Sequence, residues 1–312
     1  MAEDRPQLFD LATLARRRDR AVRLGFAGRG DFLWRRAADS IAERVLDTPR
    51  EFPDAAILGT GAGAVAAALP PKVGARRLVL VDPSPAMLGA ARDARPEAEA
   101  VVMESETLPL AEGSLDLAVS CLLMHAIDDP VGHLVQLRRA LRPDGLLIAC
   151  LFGGQTLAGL RSAMATAESE ITGGITPRVA PMGELRDLGG LLGRAGLALP
   201  VADLETTTAH YRDALALMRD LRLMGETNAM AGRARRPMRR DMLARAARLH
   251  AEHNGDGNGG VTARYDIVFL TGWAPGPDQP KPLRPGSASS RLADALGTVE
   301  LPAGDKTGKA KD

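Results

Sequence analysis

Between residues 55 and 153, short apolar runs alternate with amphipathic segments. AAILG, RRLVLVDPS, AEAVVME, LDLAVSCLLMH and GLLIACLFG predict five strands. GAVAAAL, PAMLGAARDA and PVGHLVQLRRALRPDG predict the helices between them, while the segment between the third and fourth strands is short and less clearly helical. Strands this apolar, alternating with helices, imply an α/β fold whose mostly parallel sheet is covered on both faces. In such a sheet a ligand lies beyond the carboxyl ends of the strands, where the chain order reverses. The loops after each strand are therefore the places to look.

Upstream, residues 1–50 read as a helical segment. LFDLATLARRRDRAVRLG mixes apolar positions with a dense basic face, and DFLWRRAADSIAERVLD sets Phe32, Ala37 or Ala38, Ile41 and Val45 at helical spacing. Downstream, 155–196 reads as mainly helical, broken by TGGITPRVAPMG and stopping on Gly196. LALPVADLETTTAHY and VTARYDIVFLTGWA predict two late strands, an antiparallel addition, around a helical insert at 212–253. After Trp273 the chain turns rich in Pro, Gly, Ser and Lys. The expected organisation is a main domain over 51–274 and a disordered tail over 275–312.

Composition narrows the class. Forty basic against 39 acidic residues give a net charge of +1, so no global field argues for nucleic acid or a membrane. No apolar run approaches the ~20 residues of a membrane span, and MAEDRPQLFD lacks a signal pattern. A cytoplasmic protein is expected. Cys121 and Cys150 lie in apolar runs and read as reduced core residues. The clusters Arg16, Arg17, Arg18, Arg20 and Arg233 to Arg240 read as solvated surfaces, with an anionic partner as the sharper alternative.

The stretch ILGTGAGAVAAAL carries the chemistry, but with 33 glycines in 312 residues a bare glycine match is weak. GTGAGA fits both a dinucleotide loop and the G-x-G-x-G loop of S-adenosylmethionine enzymes, through Gly59, Thr60, Gly61 and Gly63. Asp82 ends the second strand, where a carboxylate accepts hydrogen bonds from two ribose hydroxyls. Pro83 follows it, and Met87 on the next helix is placed to lie near an adenine ring. Glu104, with Ser105 beside it, follows the third strand as an acceptor for the adenine amino group. Two acids at successive strand ends favour S-adenosyl-L-methionine as the cofactor over a nicotinamide.

With these residues in place, 55–152 resembles the class I S-adenosylmethionine-dependent methyltransferase fold. LRRALRPDGLLIACLFGGQTLAGLRSAMATAESEITGGITPRVAPMGELRDLGGLLGRAG is similar to one branch, that of the mitochondrial complex I assembly factor and arginine hydroxylase with its bacterial relatives. LFD…RRRDRA, HYRDALALMRDLRLMGETNAM and ARYDIVFLTGW extend the likeness over 5–273. A more distant likeness is to the malonyl-thioester methyltransferase of biotin synthesis. The resemblance implies a respiratory complex I subunit as partner and an arginine as target. It leaves open methylation against hydroxylation, a non-catalytic assembly platform, and a small-molecule or thioester O-methyltransferase. Two positions depart from the pattern. Ile57 stands where an acid usually meets the cofactor's amine, with Asp54 about 10 Å away along the strand, and Ala126 replaces an aromatic after the histidine.

His125, at the end of the fourth strand, is the candidate catalytic residue, as base or substrate-orienting group. Asp128, Asp129 and His133 make no convincing metal set with it, so no metal is expected. Phe152, Gly153, Gly154, Gln155 and Thr156 follow the fifth strand on the substrate side. Tyr211, at the start of the insert, and Glu226, Thr227 and Asn228 within it are expected to close over that side. Each of these also has a plain reading as helix cap, core or turn.

Overall fold

The computed structural model describes residues 7–279 and 292–298. Contacts divide the chain into one unit, Met1–Gly276, and a second, Pro277–Asp312. In the second a short helix spans Leu292–Ala295, and most of the tail expected over 275–312 lies outside the described residues.

The first unit begins with two helices. α1 (Leu11–Arg23) is capped by Asp10, whose side chain accepts from the Thr13 amide, and α2 (Phe32–Leu46) follows. Then come β1 (Asp54–Leu58), α3 (Ala64–Ala68), β2 (Arg77–Asp82), α4 (Pro85–Ala94) and β3 (Glu99–Val102). β4 (Leu115–Cys121), α5 (Pro130–Ala140) and β5 (Leu141–Gly153) complete the alternating part. Ser84 and Asp129 cap α4 and α5, each with proline in the first turn. There the lost amide is no loss, because no helical acceptor exists for it. After α6 (Ala158–Thr172) and α7 (Leu185–Arg194) run β6 (Ala198–Tyr211), α8 (Ala214–Leu223), α9 (Arg240–Asn254) and β7 (Val261–Trp273).

The seven strands lie in the order β3-β2-β1-β4-β5-β7-β6. β7 runs antiparallel to both neighbours and the remaining pairs are parallel, the expected mostly parallel sheet with a late antiparallel strand. Alternation along β1 sends Ala55 and Ile57 into one apolar layer, with α2 and α6, and Ala56 and Leu58 into the other, with α5 and α7. Because both faces are covered, the central strands read as continuous apolar runs. One boundary differs from the sequence reading. α5 was expected to run on through ALRPDG, yet it stops at Ala140 and β5 begins at Leu141. Pro143 has no amide to donate and disfavours a helical Arg142, so the chain turns extended early. The order reverses between β1 and β4, which fixes the crevice at their carboxyl ends as the place for a ligand.

Candidate functional site

The glycine loop is shaped by approaches that only glycine allows. Gly59 has φ of 74°, and a Cβ there would stand 2.0 Å from the Cys121 carbonyl oxygen at the end of β4. Gly61 has φ of 53°, and its Cβ would meet the Trp34 indole at 2.6 Å. The left-handed backbone and the missing side chains bring the loop down onto the strand ends. Asp82 fastens it: Thr60 donates to Oδ2 from its amide at 2.9 Å and its hydroxyl at 3.3 Å, and the Ser84 amide donates to Oδ1 at 2.9 Å. Pro83 and Met87 are buried, whereas Glu104 and Ser105 are exposed after β3. Gly63 packs against Ala91 and Ala94 of α4.

Helix α1 lies near these strand ends and packs against α4 and α8. Its Arg18, grouped from the sequence with a solvated cluster, is fully buried. Nη2 donates to the Leu122 carbonyl at 2.6 Å, and Nη1 stands 3.5 Å from Asp82 Oδ2. The guanidinium lies 5.0 Å from the centre of the Trp34 ring and 3.6 Å from Glu226 Oε1. Asp82 is thus sealed by a cation from the amino-terminal segment. The signal existed in the sequence, for Arg18 falls on the buried stripe Leu14–Arg18–Ala21.

Next to this crevice lies a cavity of about 250 Å³, lined by Phe152 from β5, Tyr265 from β7, Leu160 and Met164 from α6, and Met218 from α8. His125 and Glu226 share its wall, with Nε2 of the histidine 3.0 Å from Glu226 Oε2. Phe152 meets the imidazole edge-on, ring centres 4.8 Å apart. Burial alone would raise the Glu226 pKa, but His125 and Arg18 outweigh it and hold the carboxyl below its ordinary value.

Of the residues expected at the site, His125, Phe152, Thr156, Glu226, Thr227 and Asn228 line this cavity. Gly153, Gly154, Gln155 and Tyr211 do not. Gly153 is hemmed in by Val268, and the Gln155 amide donates to Asp266 Oδ2 at 2.8 Å in the turn after β5. The Tyr211 hydroxyl bonds to Asp220 at 2.8 Å and to the Tyr265 hydroxyl at 3.1 Å, behind the cavity wall. Asp128 accepts from the Leu8 and Phe9 amides, Asp129 caps α5, and His133 points inward to Ser120 at 3.0 Å. Among the described residues no group of three or more His, Cys, Asp or Glu stands where it could hold a metal ion. Glu106, which the sequence reading passed over, ties down the same loop by accepting from the Asp128 and Asp129 amides at 2.6 and 3.0 Å.

Ile57 is fully buried between Leu80 and Val119 of the neighbouring strands. Asp54 cannot replace an acid there, because it pairs with Arg76 and Arg142 at the opposite end of the sheet. Arg18 Nε and Trp34 Nε1 are both buried without a hydrogen-bond partner, on side chains that stack on one another, and the Trp34 ring closes on Gly61. Open donors over a glycine cradle, with a carboxylate at the end of β2, suit an adenosyl amino acid. Such donors would suit its carboxylate, and Asp82 is the acceptor expected for its ribose.

Residues 57–149 match the family model for a methyltransferase domain. With the strand order and the glycine loop, this defines a methyltransferase-like enzyme of the class I S-adenosylmethionine-dependent fold. A solved structure from Bacillus halodurans assigned to the methyltransferases shares that fold, with a TM-score of 0.52 at 14% identity, covering 76% of this chain and 98% of that one. The arginine-hydroxylase NDUFAF5, mitochondrial, of Danio rerio is 36% identical over 92% of this chain and 89% of its own length. The malonyl-[acyl-carrier protein] O-methyltransferase of Laribacter hongkongensis is 34% identical over 79% and 84%. The chain belongs to the NDUFAF5 family of methyltransferase-fold proteins.

Proposed function

We propose that this protein is an S-adenosylmethionine-binding enzyme that modifies an arginine side chain of a respiratory complex I subunit. The observation that carries the reading is the match to an arginine hydroxylase along nine-tenths of the chain. The geometry agrees with it. The Glu226 carboxylate, beside the His125 imidazole on the wall, is suited to a cationic side chain rather than to the carboxylate of a malonyl thioester. Arg178, which also lines the cavity, is already committed to Glu168 at 2.6 Å.

S-adenosylmethionine, when bound, supplies an electrophilic methyl on a sulfonium. Gly59 to Gly63, Asp82 and Met87 hold and orient it; Glu104 and Ser105, exposed after β3, border its adenine end. His125 and Glu226 sit between that crevice and the cavity, and the apolar lining keeps water from the reacting side chain. The partner would bring the enzyme to the membrane surface. Mass spectrometry of complex I subunits from a strain lacking this gene tests the reading. One arginine should lose the mass that a single methylation or a single hydroxylation adds, and an unchanged set of arginines would overturn it.

A further inference from the structure

Two buried side-chain atoms of residues that line the cavity have no hydrogen bond of ordinary length: Nδ1 of His125 and Oε1 of Glu226, the latter with Arg18 Nη2 3.6 Å away. Nε2 of His125 stands 3.0 Å from Glu226 Oε2; in the neutral tautomer that donates to the carboxylate, the ring's lone pair lies on Nδ1. Glu226 is pinned in place. Its amide donates to the Leu221 carbonyl at 3.0 Å, just after α8, behind Gly225 at φ of 79°. Buried acceptors left open are costly, and they persist where something else completes them.

We infer that Glu226 and His125 are the receptor for the guanidinium of the substrate, whose aliphatic stem fills the apolar cavity. A guanidinium has five N–H donors in one plane and no acceptor. Its donors can serve the Glu226 carboxylate, which the His125 ring orients through the other oxygen, and three methylenes suit the surfaces of Phe152, Met164 and Met218. The molecule holds a precedent beside the same carboxylate. Arg18 donates to a backbone carbonyl, stacks on Trp34 and approaches Asp82, but stops 3.6 Å short of Glu226 Oε1. Of the other cations on the wall, Arg178 is paired with Glu168 and Arg222 is exposed at the rim. This assignment rests on the reading of the protein as an arginine-modifying enzyme and names the residues that would select the arginine. The rival source of a cation at Glu226 is the ammonium of the cofactor's amino-acid end, left without its usual acid by Ile57.

Calorimetry of the full chain separates the two. The probes are Nα-acetyl-arginine N-methylamide, its neutral citrulline counterpart, and S-adenosylmethionine. Wild-type protein should bind the arginine probe at least about tenfold more tightly than the citrulline probe, as expected for a charge-assisted hydrogen bond. Glu226→Gln, with an unchanged circular dichroism spectrum, should erase that preference and leave S-adenosylmethionine affinity within about threefold. Nitrogen-15 NMR of the wild-type protein should show the His125 Nδ1 resonance shifting on addition of the arginine probe, a readout independent of any variant. Equal binding of the two probes, an unmoved Nδ1 resonance, or a preference that survives Glu226→Gln would overturn the assignment. So would a tenfold loss of S-adenosylmethionine affinity in Glu226→Gln with arginine binding intact, which would give Glu226 to the cofactor. Failure of the arginine arm with S-adenosylmethionine still binding sinks this assignment alone. Failure of S-adenosylmethionine to bind at all would strike the proposed function.

Discussion

Asp82 answers to three neighbours at once, and that makes its replacement informative. Asp82→Ala removes the acceptor for the Thr60 and Ser84 amides and leaves Arg18 with one carboxylate fewer. Breaking a buried ion pair on one side costs roughly 3 kcal/mol, so urea denaturation should show a loss of that order. Replacing both members, Arg18→Met with Asp82→Asn, should recover part of it. Titration of the folded Asp82→Ala protein with S-adenosylmethionine should show affinity reduced at least about tenfold, one lost charged contact being worth about 1.5–3 kcal/mol.

His133 is a second residue with a measurable signature. Burial pushes its pKa from 6.5 down to about 4. Below pH 6.5 the unfolded chain binds a proton that the folded chain refuses until near pH 4, so stability is full above that window and falls as the pH drops through it. Over the whole window this group contributes on the order of 3 kcal/mol. Denaturation near pH 7 and near pH 4.5 should show a smaller drop for His133→Gln than for the wild-type protein. An equal drop would mean that another group dominates.

At the scale of elements, periodicity and punctuation made the framework legible. The apolar runs located β1 to β5, and Ser84-Pro85 and Asp129-Pro130 marked two helix starts by chemistry that operates within one turn. The glycine loop and Asp82 were readable for the same reason, since both follow from where strands end. What was not readable depends on which distant face meets which. His125 and Glu226 are 101 residues apart, and nothing local says that they touch. Tyr211 ends a strand as expected, but its hydroxyl is spent on Asp220 and Tyr265. Arg18 shows the same limit most sharply. A helix with arginines at four of five positions offers several basic faces, and only docking onto the sheet ends decides which arginine is buried. Its docking is secured from outside the helix, by the Asp10 and Ala231 amides that donate to Ala229 and Leu8 at 2.8 Å each.

For the molecule as a whole, the burial of Asp82 behind Arg18 turns a question of affinity into one of timing. On the proposed function, a ribose that is to bond to this carboxylate must first displace the guanidinium 3.5 Å from it, so encounter and capture would be separate events. Here stopped-flow traces with S-adenosylmethionine should show an observed rate that levels off as ligand rises, at the frequency with which Arg18 lets go. In Arg18→Met that plateau should vanish, and the rate should climb in proportion to concentration. A plateau unchanged in the variant would place the slow step elsewhere. The amino-terminal helix then acts as a clock on entry, set by one side chain.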